Sequence, residues 1–97
     1  MKSFAELFKK YRLQSQFASL SEVADALAEK GYISEPSIIS NWQRGKRTPR
    51  KRSIVILVIA LFIEKNAITS LDDANEFLES AGHGYLTRSE QIALLPR

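Results

Sequence analysis

The chain contains no cysteine. Disulfides, thiolate metal sites and thiol nucleophiles are therefore excluded, and the composition is compatible with a reducing cytoplasm. A single histidine, His83, lies in a Gly82-His83-Gly84 loop. Without a second histidine or a cysteine it is expected to sit in solvent and not to ligate a metal. Long hydrophobic runs are missing too: the longest, Ile54 to Ile63, has ten residues, about half of the roughly 20 needed to cross a bilayer. The opening MKSFAELFKK has no apolar run before a small-residue cleavage site, so no signal peptide is expected and the protein reads as cytoplasmic. No internal repeat, low-complexity tract or glycine-rich phosphate loop occurs. The carboxylates fall on polar helix faces or at caps, which leaves no nucleophile with an oriented base. An enzyme is not expected, and no cofactor, metal or small-molecule substrate is implied.

What remains is ordinary in amount and uneven in arrangement. With 97 residues, 44% of them hydrophobic and 26% charged, the chain can form one domain with a single core and is not expected to be disordered. The net charge of +3 is modest, but the basic residues are clustered. From Pro36 to Ile63 there are six bases (Arg44, Lys46, Arg47, Arg50, Lys51, Arg52) and no acid, whereas from Glu64 onward six acids face three bases. A local basic patch favours a polyanion at one face.

Hydrophobic periodicity predicts helices throughout. Ser3 and Glu6 have capping-box spacing, and Phe4, Leu7, Phe8 and Tyr11 then recur at i, i+3, i+4 and i+7, which predicts a first helix over about 4–14. Lys9, Lys10 and Arg12 lie on or beside its polar side, either in solvent or against a phosphate backbone. Ser19 and Glu22 repeat the spacing before Leu20, Val23, Ala24 and Leu27, so a second helix is expected over about 20–30, stopped by Gly31. Tyr32 and Ile33 are expected to plug the core. Near Arg50 a helix carrying IVILVIALFI should begin. Its β-branched residues make a strand conceivable, but nothing else alternates with period two. An apolar helix must be covered on nearly all sides, by its own chain as a central core helix or by a second subunit on its outer side. Ser70 with Asp73 opens a helix bearing Leu71, Ala74, Phe77, Leu78 and Ala81 and ending at Gly82. Thr87 with Glu90 opens a short last helix with Ile92, Leu94 and Leu95 before Pro96.

The stretch Ser34 to Arg52, SEPSIISNWQRGKRTPRKR, carries the functional signal. Ser34 is the expected N-cap, Pro36 fits a first turn, and Gly45 suits the left-handed end. Read as a helix, Ile38, Ile39 and Trp42 form a packing face, while Ser37, Ser40, Asn41 and Arg44 form a polar one. Lys46, Arg47, Arg50, Lys51 and Arg52 follow, with Thr48-Pro49 as a helix break. Small hydrogen-bonding side chains bordered by cations suit a helix in the DNA major groove, Asn41 and the serines on base edges and the cations, Arg44 included, on phosphates.

The run Ile39-Ser40-Asn41-Trp42-Gln43-Arg44-Gly45-Lys46-Arg47-Thr48-Pro49 resembles the helix-turn-helix of the XRE family, which includes Cro and lambda-type phage repressors. A looser likeness extends from Phe4 to about Ala67. The resemblance implies an all-α, lambda repressor-like bundle of five to six short helices, one domain over 1–97 with a core at 3–67 and a helical extension at 68–97. It implies a transcriptional regulator that binds double-stranded DNA, commonly as a homodimer on an inverted repeat. Pro36, Ser37, Ser40 and Asn41 then map onto base reading; Lys46, Arg47 and Arg50 map onto phosphate binding; Ile39 and Trp42 map onto the core. The sequence departs from the family at Gln43, where a glutamate is usual, so any ion pair made there is lost. The link between the second and third helices is also longer than the usual three or four residues. The segment Ala74 to Pro96 looks like tails that follow such domains in larger bacterial regulators. The alternative to DNA binding is a protein-interaction module of the same fold, motivated by the apolar helix and the acidic C-terminal third.

Overall fold

The computed structural model describes residues 2–95 and is all-α: α1 Phe4–Gln14, α2 Leu20–Glu29, α3 Pro36–Gln43, α4 Arg52–Glu64, α5 Leu71–Ser80 and α6 Arg88–Leu94. Four helix starts follow their local chemistry. In α1 the Glu6 N–H donates to Ser3 Oγ (3.2 Å) and the Ser3 N–H donates to a Glu6 carboxylate oxygen (2.8 Å); the Ser3 N–H first, then the Ser3 hydroxyl, holds the Glu6 carboxyl below its ordinary range. The same reciprocal box forms between Thr87 and Glu90 at α6. At α2 only half of it forms. Ser19 Oγ accepts from the Glu22 N–H, but the Glu22 side chain reaches one residue further back, to the Ala18 N–H (2.9 Å). Ser70 Oγ caps α5 through the Asp73 N–H.

Two starts differ from expectation. At α3 the N-cap is Glu35 and not Ser34, and its side chain makes no capping bond; the Ser34 hydroxyl instead donates to the Glu35 carbonyl (3.2 Å). Pro36 takes the first helical position, where its missing N–H leaves one donor fewer to satisfy. The fourth helix starts at Arg52, two residues after the expected Arg50, because Lys51 is still extended (φ −78°, ψ 127°) after the buried Pro49.

Five helices close into a ring. The most extensive packing pairs α1 with α3 and α5, α2 with α3 and α4, and α4 with α5. Aromatic rings fill the middle: Phe62 lies 5.9 Å from Phe8, 5.8 Å from Tyr11 and 6.0 Å from Phe77, ring centre to ring centre, and Phe77 lies 4.9 Å from Phe4. Phe77, Ala74 and Leu78 of α5 are fully buried, so packing does not stop at residue 67, where the sequence suggested the core ends. No residue from Ile54 to Ile63 is exposed. Val55, Val58, Ile59, Leu61 and Phe62 of α4 are buried in the core, while Ile54, Ile56, Leu57, Ala60 and Ile63 are half-buried, so α4 is a central helix with one side partly open. α6 sits outside the ring, with Leu94 and Leu95 half-buried against the core and Ile92 67% exposed. The Pro96 expected to follow it lies outside the described residues. Among the described residues no helix is long and apolar enough to cross a membrane.

Three side chains are placed differently from the sequence reading. Ile33 is 86% exposed in the link and does not plug the core, whereas Tyr32 does, stacked on Trp42 at 6.2 Å. Ile38 is 41% exposed, since Ile39 and Trp42 already occupy the inward direction of α3. His83 is half-buried, with Nε2 enclosed and unpartnered, and not in open solvent. The Tyr11 hydroxyl is likewise enclosed without a partner; burial first, then Asp73 and Glu76, pushes its pKa up to about 12.

Candidate nucleic-acid interface

The orientation of α3 is set by its inner side. Trp42 is buried with its ring edge-on to Phe8 (5.8 Å) and Phe4 (6.4 Å), and Ile39 is fully buried beside it. Truncating such an aromatic costs about 3–5 kcal/mol, enough to hold the helix in one rotation about its axis. Arg12 adds a second constraint. Its Nε donates to Gln43 Oε1 (2.7 Å) and its Nη1 to the Phe17 carbonyl (3.0 Å), which ties α1, the α1–α2 loop and α3 together. Gln43 thus accepts a charge-assisted hydrogen bond from Arg12. Arg12 is accordingly an internal tie, distinct from the exposed cations.

With Ile39 and Trp42 inward, the opposite side of α3 is open. Pro36, Ser37 and Arg44 are exposed; Ser40 and Asn41 are half-buried. None of the Ser37, Ser40 or Asn41 side chains hydrogen-bonds within the described residues, so their donors and acceptors remain available. The Asn41 carbonyl closes the helix end, accepting from the Lys46 N–H (3.0 Å) and the Arg47 N–H (3.3 Å). Gly45 makes this turn with φ +78°. An added Cβ would meet only Ala5 Cβ, at 3.7 Å, so glycine is required there for its backbone conformation and not for space.

Beyond the turn the chain swings outward. Lys46, Arg47, Thr48, Arg50 and Lys51 are exposed, with Pro49 as the buried anchor. Lys46, Arg47, Thr48, Pro49 and Arg50, with Ala81 at the end of α5, line an open cleft of about 600 Å³. Arg44, Lys46, Arg47, Arg50 and Lys51 form no ion pair among the described residues.

Arg52, the sixth cation of the run, is drawn out of this set. Its guanidinium donates to both Glu90 carboxylate oxygens (2.7 and 3.0 Å) and to the Gly84 and Tyr85 carbonyls (2.9 Å each). Four bonds leave little for a phosphate. The Arg52 hydrogen bond, then the Thr87 N–H, lowers the Glu90 pKa to about 2, and the pairing raises that of Arg52. Composition and spacing give no sign of this clasp, because its halves are 38 residues apart. The chain matches no protein-family model, no curated protein and no solved structure.

Proposed function

We propose that the chain is a sequence-specific double-stranded DNA-binding regulator that lays the outer side of α3 in the major groove and the segment after it on phosphates. One observation carries the reading: α3 is pinned from within by Ile39 and Trp42, so the unbonded polar groups of Ser37, Ser40 and Asn41 face outward beside five unpaired cations. Base-reading positions are Pro36, Ser37, Ser40 and Asn41. Phosphate positions are Arg44, Lys46, Arg47, Arg50 and Lys51, without Arg52. The resemblance to XRE-type repressors supports the same assignment and suggests a homodimer. Such a dimer would use the half-buried side of α4 or the C-terminal helices. A body of 33 × 27 × 22 Å is commensurate with half-sites one helical turn, about 34 Å, apart.

The alternative, a protein-interaction module without sequence reading, draws on the exposed Ile33, Tyr85 and Ile92; it leaves the five unpaired cations without a role. Selection on random duplexes tests the proposal, with an inverted-repeat consensus as the expected result. On the selected duplex, Asn41→Ala should cost about 1–3 kcal/mol of discrimination between sites, and Arg47→Ala should weaken all sequences alike. Gel-shift titrations left unchanged by both substitutions would remove the DNA surface from α3.

A further inference from the structure

Ile38 has no packing role that accounts for its place. Ile39 and Trp42 fill the inward direction of α3, and Ile38, 41% exposed, is left on the border of the outer face. At 100° per residue it lies about 60° around the helix from Asn41, on the side of Asn41 away from Ser40. A single exposed aliphatic side chain is unremarkable by itself. The surroundings are what make this one informative. It adjoins the unbonded amide of Asn41, and the helix that carries it runs directly into Arg44, Lys46, Arg47, Arg50 and Lys51, all exposed and unpaired. A partner that covers Ile38 must also neutralise those charges, which favours a polyanion over an apolar protein surface. It must also present an apolar group inside a groove wide enough for a helix. Duplex DNA does so through the 5-methyl group of thymine in the major groove. RNA does not: uracil lacks the methyl, and the A-form major groove is too narrow.

We infer that Ile38 is a specificity-determining residue that packs on a thymine methyl group, so that the preferred site carries thymine at the position next to the base pair met by Asn41. The inference rests on the proposed DNA-binding function, and it assigns to α3 an apolar reader beside the polar ones. The contact also selects DNA over RNA.

The test uses the duplex obtained by selection, with each thymine replaced in turn by deoxyuridine, which removes only the methyl. For the wild-type chain, one position per half-site should lose about fourfold in affinity, the equivalent of one buried methyl group. Ile38→Ala should bind more weakly and be indifferent to deoxyuridine at that position, while Ile38→Val retains the sensitivity. Because the side chain is partly exposed, both variants are expected to fold, which circular dichroism checks. Wild-type binding that is indifferent to deoxyuridine everywhere overturns the inference and leaves the DNA-binding proposal standing. Sensitivity that persists in Ile38→Ala overturns the assignment to this residue. A wild-type chain that binds no duplex overturns the parent proposal and this inference with it.

Discussion

Arg47 and Arg52 stand five residues apart in one run of cations and have opposite fates. Arg47 follows the α3 turn into solvent, exposed and unpaired. Arg52 opens α4 and is claimed by Glu90 and by the carbonyls of Gly84 and Tyr85. The difference comes from what each one faces. The segment at 46–51 lines an open cleft beside Ala81 at the end of α5, whereas the first turn of α4 meets the loop that leads to α6 through Gly84 and Tyr85. Charge in a sequence therefore divides into cations held by the chain and cations offered to a partner, and the proposed interface consists of the second kind.

Neutralising the offered set should have the largest effect. With Arg44, Lys46, Arg47, Arg50 and Lys51 all changed to Gln, the dependence of log affinity on log salt should fall by about 4.5 from the wild-type slope, at about 0.9 per phosphate contact. The unfolding midpoint should barely move, since exposed substitutions away from special features stay within about 0.5 kcal/mol. Gel shifts at several salt concentrations, with a denaturant titration alongside, measure both.

Arg52→Ala should do the reverse. It strands a carboxylate and two carbonyls, at a cost of about 1–3 kcal/mol, towards the lower end because both side chains are still a quarter to a third exposed. Its salt slope should match the wild type. The same pair predicts a pH response. Glu90 ionises at about 2 in the folded chain against an ordinary 4.5, so its contribution is complete above about pH 4.5 and is lost as pH falls towards 2. Urea unfolding from pH 5 to pH 2 should show this loss in the wild type and a smaller one in Arg52→Ala.

The smallest expected effect concerns Glu35, the exposed acid at the start of α3. Its carboxylate makes no capping bond and adds a negative charge at the start of the proposed recognition helix. Glu35→Gln should strengthen binding to all duplexes by about twofold, an effect that fades with salt. Weaker binding to selected sites alone would instead make Glu35 a base reader.

The parts of this fold legible in the sequence are those written within one helical turn. Ser3 with Glu6 and Thr87 with Glu90 close their boxes as spaced, and Gly31, Gly45 and Gly82 take the left-handed conformation that ends a helix. α1 and α4 instead end through Gln16 (φ 65°) and Asn66 (φ 62°), which no glycine announces. Ser34 looked like a cap, but its hydroxyl turned to the neighbouring carbonyl. Of the adjacent pair Ile38 and Ile39, only the packing of Trp42 on Phe4 and Phe8 decides which one points inward. Longer reach was invisible. The Arg12 bond to Gln43 spans 31 residues, and the Arg52 clasp spans 38, so two cations with no partner nearby in the sequence are committed in the fold.

The division between held and offered groups is tested most directly by backbone amide NMR of the whole chain titrated with duplex DNA. The account predicts shift changes concentrated at Ser37, Ile38, Asn41 and the segment 44–51, with the amides of Gly84, Tyr85 and Glu90 unmoved. Changes centred on α6 and the 84–85 loop, or none along α3, would contradict it.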